Sequence, residues 1–257
     1  MRILQIIIDP IIAGKPLTQR YGVNVKELHN NVLKILSSIS GESMPIVRTE
    51  YQAFIPVKQT GVTYSAQYYE QVINRIDIPY YPDTMDYDLF IRDFHLVERR
   101  GEFDEVHVWG GPYFGFYESR MIGRNPIFCN APSLKRECDN FIIMGFNYER
   151  GISEALESFA HRVESILAYS YPTMWRLYQR YIGTVHIPFN THKDYDWGNE
   201  TMVRYRNYLF PTFQPLNIAG RMANCTEWGC TGLGYMQWWL RHLPKNTWTK
   251  ILHPDTI

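Results

Sequence analysis

Apolar, β-branched runs recur at residues 3–8, 45–57, 105–109 and 140–146, each bounded by polar, Gly or Pro residues, and they read as strands. Between them the apolar positions change to a helical period over 25–39, 65–75 and 86–94, with Asn24, Ser65 and Asp86 placed to cap those helices. Short, nearly continuous apolar strands separated by helices predict an α/β fold. Its core is expected to be a mostly parallel, doubly wound sheet with helices on both faces. A longer helix is predicted over 151–170, a shorter one follows Pro172, and a last one lies around 233–243. Residues 183–230 are rich in His, Asn, Asp, Tyr and Trp and carry little periodicity. The chain shows no repeat, low-complexity tract or linker. It is therefore read as one domain over 1–257, an α/β core (1–182) with a loop-rich, partly helical cap or extension (183–257).

Composition narrows the function classes. Twenty-six Lys and Arg balance 26 Asp and Glu, which argues against a basic nucleic-acid footprint. An apolar content of 45% argues against a disordered chain. No run approaches the roughly 18 apolar residues of a membrane span. The first ten residues are too short an apolar run for a signal peptide and lack a small-residue cleavage site, so no leader is expected in this chain. The four cysteines form two close pairs, Cys129/Cys138 and Cys225/Cys230, neither with C-x-x-C spacing. Two local disulfides or four reduced thiols both fit. Asn199 and Asn224 head glycosylation sequons, which matter only in a eukaryotic secretory host.

The 151–170 helix is the most informative segment. At 100° per residue, Glu154, Glu157, His161 and Glu164 fall within an arc of about 80°, with Leu156, Phe159, Val163 and Ile166 opposite. Spacings of three and four bring ligand atoms close enough to share one cation, whereas the plain alternative is a solvated helix face. His186 and His192 follow in a polar stretch and suit zinc or a similar borderline metal. Asp194, Asp196 and Asn199 with Gly198 offer a weaker calcium pattern without full EF-hand spacing, or simply a turn-rich loop. The expected metal ligands are thus His161, Glu157, Glu164, His186 and His192, for a divalent ion, zinc first and calcium second. Glu157-x-x-x-His161 has the spacing of the zincin helix, but Ser158 stands where that helix carries its general base. Glu149 and Glu118 are the candidates for proton transfer.

In open parallel sheets, ligands bind beyond the carboxyl ends of the strands, which points to Asp9, to 109–113 and to 147–150. The turn 110–118 has neither the spacing nor the Lys of a phosphate-binding loop. Trp109, Tyr113 and Tyr117 could build a stacking wall for a sugar or an aromatic side chain, with Asn147 beside them, or they could be packing residues. Gly-x-Ser-x-Gly is absent, and no Cys lies near an obvious base partner. His29, His95, His107, His242 and His253 stand isolated in the sequence and are read as structural or surface residues.

The segments 104–106 and 109–119 (WGGPYFGFYES), then 144–151 (MGFNYERG) with Glu157, Phe159, His161, Arg162, Glu164 and Ser165, resemble a family of uncharacterised bacterial proteins, often exported and sometimes fused to accessory modules. The likeness continues through 185–188 and Asp194-Tyr195-Asp196 to Asn224-Cys225, Trp228-Gly229 and 234–236, and so covers most of the chain. It implies a secreted, globular protein and supplies no activity.

Three functions fit these residues. The first is a metal-dependent hydrolase acting on an extracellular peptide or glycan. The second is a metal-free glycosidase using Glu118, Glu149 and Glu157. The third is a non-catalytic glycan- or protein-binding module presenting its Tyr and Trp residues. None implies a nucleic-acid or membrane partner, and the sequence leaves the oligomeric state open.

Overall fold

The computed structural model describes residues 1–205, 208–209, 214–215 and 220–257. Chain order begins with β1 (Ile3–Ile8), a small hairpin of β2 (Ile11–Ile12) and β3 (Lys15–Pro16), α1 (Leu17–Tyr21), α2 (Val25–Ser40) and β4 (Ile46–Gln52). Helices α3 (Ala66–Ile73) and α4 (Tyr87–Asp93) lead to β5 (Glu105–Gly110), β6 (Ser119–Gly123), β7 (Leu134–Lys135) and β8 (Phe141–Asn147). Then come α5 (Ile152–Ser170) and α6 (Pro172–Tyr181). Short strands β9 (Val203–Tyr205), β10 (Tyr208–Leu209), β11 (Gln214–Pro215) and β12 (Arg221–Ala223) pair as β9 with β12 and β10 with β11, before α7 (Gly232–Arg241) and α8 (Trp248–Leu252).

Six strands form one mixed sheet in the order β4-β1-β5-β8-β6-β7. All neighbours run parallel except β6, which is antiparallel to β8. The mostly parallel α/β architecture expected from the strand–helix alternation is therefore present. Every residue of β1 and β5, and all of β8 but its last, is buried, so both sheet faces are covered. On one face Phe146 meets His29 of α2, and α5 packs across β8 and β6. On the other, Gly145 lies against Phe116, whose ring meets Phe90 of α4. The predicted caps are in place: Asn24, Ser65 and Asp86 accept the backbone N–H groups of Glu27, Tyr68 and Leu89.

β6 and β7 lie in a stretch that the apolar pattern did not mark as strand. Ser119 and Arg120 break the apolar run of β6. The strand also returns antiparallel through a loop, without the crossover helix that announces a parallel neighbour.

The rotation of α5 is set by a buried polar chain that crosses the sheet face. Thr49 Oγ1 donates to Gln5 Oε1 (2.9 Å), and Gln5 Nε2 meets His29 Nδ1 at 2.7 Å. His29 Nε2 meets His107 Nδ1 (2.7 Å), and His107 Nε2 meets Glu105 Oε1 (2.8 Å). Arg162 of α5 then donates to both Glu105 oxygens, at 2.5 and 2.6 Å, and to the Ile251 carbonyl. Gln5, His29, His107, Glu105 and Arg162 are all fully buried. His29 and His107, isolated in sequence, are thus adjacent in space. Arg162 points α5 at the sheet, which turns the neighbouring His161 outward.

Candidate metal centre

Along α5, Glu154 is drawn back to the helix start, where its Oε2 accepts the Gly151 N–H at 3.0 Å. Glu157 and His161 remain one turn apart, with His161 Nε2 4.0 Å from Glu157 Oε1. The third partner comes from the turn after α6. Gly183 has φ +113°, and a Cβ there would meet the Ile187 carbonyl oxygen at 2.3 Å, so only glycine fits. Tyr235 Oη and Trp239 Nε1 of α7 donate to the Thr184 and Gly183 carbonyls (2.7 and 3.1 Å), and the Val185 N–H donates to Glu164 Oε1 (3.1 Å). This clamp places His186 over the α5 stripe.

His186 Nε2 lies 3.0 Å from His161 Nε2 and 3.0 Å from Glu157 Oε1. Two ligands about 2.0–2.1 Å from a tetrahedral ion stand ~3.3 Å apart, so the spacings of 3.0, 3.0 and 4.0 Å bracket what one zinc-sized ion needs. Among the described residues, Glu157, His161 and His186 are the group whose ligand atoms lie close enough to hold a metal ion.

The hydrogen-bond inventory at this point is crowded in a way that one cation could relieve. An imidazole nitrogen has one lone pair or one proton. His186 Nε2 has three polar neighbours, the third being the Tyr195 hydroxyl at 3.2 Å. His161 Nδ1 meets Glu164 Oε2 at 3.0 Å, an orientation that aims Nε2 at the shared point, as carboxylates behind metal-binding histidines do. Burial disfavours the charged form of His161, but the Glu164 hydrogen bond and the carboxylates of Glu118, Glu164 and Glu157 outweigh it and raise its pKa above the ordinary imidazole value.

Two residues border the cluster. Tyr195 holds the left-handed backbone at φ +59°, its N–H donates to the His186 carbonyl (2.9 Å), and its ring centroid lies 4.4 Å from that of His186. Such a conformation is uncommon outside glycine and is held here by the surrounding turn. Desolvation and the carboxylates of Glu157, Asp194 and Glu118 raise its pKa, so the hydroxyl stays a donor. Nothing in the residue pattern singled out Tyr195, although its position between two candidate acids was visible. Glu118 is half-buried on the other flank, 3.5 Å from Ser158 Oγ and 2.5 Å from Asn130 Nδ2.

The remaining expected site residues lie elsewhere. His192 is exposed and outside the ligand group. Glu164 supports His161 from behind. Asp196 accepts from Thr191 and Asn199 within its own loop, and Asp194 is exposed, so this loop gathers no calcium cage. Trp109 is fully buried and stacks on Phe146 at 4.7 Å, so it is core and no wall of a cleft. The Tyr113 carbonyl accepts from buried Lys58, and Tyr117 stacks on Tyr87. Asn147 ends β8, two residues before Glu149. Glu149 itself acts on Tyr21, Tyr69 and Tyr148 at the carboxyl end of the sheet, with Oε2 buried without a partner among the described residues and its pKa raised by burial. Glu118 and Glu149 thus occupy different surroundings, and it is Glu118 whose charge acts on His161.

Of the two cysteine pairs, Cys225 and Cys230 form a disulfide, while Cys129 and Cys138 are free and buried. Burial pushes the Cys129 thiol up to about 11. Part of the loop-rich stretch (206–207, 210–213 and 216–219) lies outside the described residues. Among those described, no helix is long and apolar enough to cross a membrane.

Comparison with protein-family models, with curated proteins and with solved structures finds no match. What fold and site define is a mixed α/β protein with a Glu157/His161/His186 cluster that could hold a metal ion.

Proposed function

We propose that the protein is a metal-dependent hydrolase of peptides or glycans, with Glu157, His161 and His186 as the ligands of a zinc-like ion. The convergence of three polar atoms on His186 Nε2 is the observation that carries this reading. Glu157, His161 and His186 would hold a divalent ion, which would supply a water molecule acidic enough to ionise near neutral pH. The protein's own groups do the rest. Glu164 holds the His161 ring in place. Glu118 accepts a proton from the water as its oxygen bonds to the substrate carbon, and gives that proton to the leaving atom as that atom's bond to the carbon breaks. Tyr195 Oη donates to the oxygen on which negative charge develops. The resemblance to exported bacterial proteins and the Cys225–Cys230 disulfide support action outside the cytoplasm.

Elemental analysis tests the reading on full-length protein purified without a His-tag and dialysed after zinc loading. About one zinc per chain is expected, falling to background in His186→Ala. A chain that retains no stoichiometric transition metal would overturn it.

A further inference from the structure

The metal cluster opens into a cleft of about 540 Å³ between α5 and α6. His161, Glu164, Ser165 and Ala168 follow one another along its α5 wall at helical spacing, with Trp175 and Gln179 opposite. From His161 to Tyr169 the helix rises about 12 Å, room for one ring-bearing side chain beside the ion. Phe128 and Tyr169 line this cleft and leave 61% and 63% of their surfaces in solvent. Two large exposed aromatics flanking one cleft mark a surface that gains from being covered.

From this geometry we infer that the cleft selects an uncharged aromatic or large apolar side chain next to the scissile bond, which makes the substrate a peptide or related amide. The inference rests on the metal-centre reading above. Away from the metal point, the described lining residues include no Lys or Arg to receive a phosphate, a sulfate or a carboxylate, and Glu164 is already paired with His161. A sugar would need many hydrogen bonds, yet the two aliphatic hydroxyls here are engaged. Ser165 Oγ accepts the Asn130 N–H (2.9 Å) and donates to the His161 carbonyl (3.2 Å), and Thr184 Oγ1 accepts the Ile187 N–H (3.0 Å). That leaves Gln179 and the Tyr169 hydroxyl for a polar ligand, too little for a ring of hydroxyls whose burial is costly when unpaired. An aromatic side chain needs only the carbon walls.

Hydroxamates, which chelate zinc, separate the two readings on the zinc-loaded full chain. Acetohydroxamate reports the ion alone, 3-phenylpropanohydroxamate adds an aromatic tail, and the monohydroxamate of succinic acid adds a charged one. The phenyl compound is expected to bind ten- to a hundredfold more tightly than acetohydroxamate, from burial of one ring. Phe128→Ala and Tyr169→Ala are each expected to remove several-fold of that gain while leaving acetohydroxamate unchanged. The succinyl compound should bind no better than acetohydroxamate. If zinc and acetohydroxamate bind but the phenyl tail gains less than twofold, or the succinyl tail gains as much, the cleft assignment is wrong and the metal centre stands. If zinc is not retained, or acetohydroxamate does not bind the zinc form, both readings fall.

Discussion

Two pairs of histidines touch in this molecule, at nearly equal distance, and they differ in kind. In the interior, His29 Nε2 and His107 Nδ1 are 2.7 Å apart within a line from Thr49 to Arg162. Each ring nitrogen there has one partner, so a single set of neutral tautomers satisfies the line, each ring donating to the next until the Glu105 carboxylate ends it. At the cleft, His161 Nε2 and His186 Nε2 are 3.0 Å apart, and Glu157 Oε1 and Tyr195 Oη crowd the same nitrogen. One proton or lone pair on His186 Nε2 cannot serve all three neighbours, whereas a cation could be shared by His186 Nε2, His161 Nε2 and Glu157 Oε1. Proximity of two histidines is therefore no sign of a metal site. The number of lone pairs that converge is.

The largest expected effect lies on the interior side. Removing Arg162 leaves the Glu105 carboxylate buried without its guanidinium, and loss of one partner from a buried pair costs about 3–5 kcal/mol. Arg162→Met should lower unfolding stability by that much in urea titration, while Glu105→Gln combined with Arg162→Met should recover part of the loss. Equal stability of wild type and Arg162→Met would show that the line is not what anchors α5. On the cleft side, His186→Ala should weaken zinc binding by at least a hundredfold in competition with a chromophoric chelator, with little change in stability of the metal-free chain. His192→Ala should leave affinity within twofold, because His192 lies outside the group. Glu164→Gln, which keeps the shape but loses the charge behind His161, should weaken zinc by 10- to 100-fold. A full-strength His186→Ala protein, or a Glu164→Gln effect as large as the loss of a ligand, would break the distinction between ligand and support.

How much of this contrast the chain announces depends on the range over which residues meet. Glu157 and His161 share a face by helical period alone, so two of the three cluster residues were readable from one helix, as were four of the six strands of the main sheet, the α5 stripe and three helix caps. The choice of His186 over His192 was not. It depends on Gly183 at φ +113° and on Tyr235 and Trp239 of α7 clamping the turn from about fifty residues away. The interior line left a signal that went unread: Glu105, His107 and Trp109 alternate along a strand buried at every position, and a Glu and a His at i and i+2 in such a strand must find partners. Those partners, His29 and Arg162, lie 78 and 57 residues away, beyond any local pattern. The choice between wall and core for Trp109 rests on similarly distant partners. Its place at a strand end suggested a cleft, but Phe146 and His29 enclose it.

Acid should separate the two pairs with the smallest but cleanest effect. Burial, and then the adjacent His107, hold the His29 pKa well below its usual 6.5. The folded state therefore resists a proton that the unfolded chain takes up, so the contribution of neutral His29 is complete above pH 6.5 and is lost as pH falls below it, by at most about 1.4 kcal/mol per pH unit. Glu105 also acts in the acid direction, since Arg162 and His107 overcome its burial and lower its pKa, but its loss begins only below the ordinary carboxylate value of 4.5. His161 runs the opposite way. Its raised pKa stabilises the metal-free chain below pH 6.5, and this contribution disappears as pH rises through the folded value. In His29→Gln, the amide can still accept from Gln5 and donate to His107. Unfolding stability of the metal-free chain, measured from pH 7.5 to 5 with a chelator present, should fall less steeply in this variant than in wild type. The difference between the two curves cancels His161 and isolates His29. Parallel curves would mean that folded His29 takes up a proton as readily as the unfolded chain does, and the interior line would then need a second negative group to satisfy it.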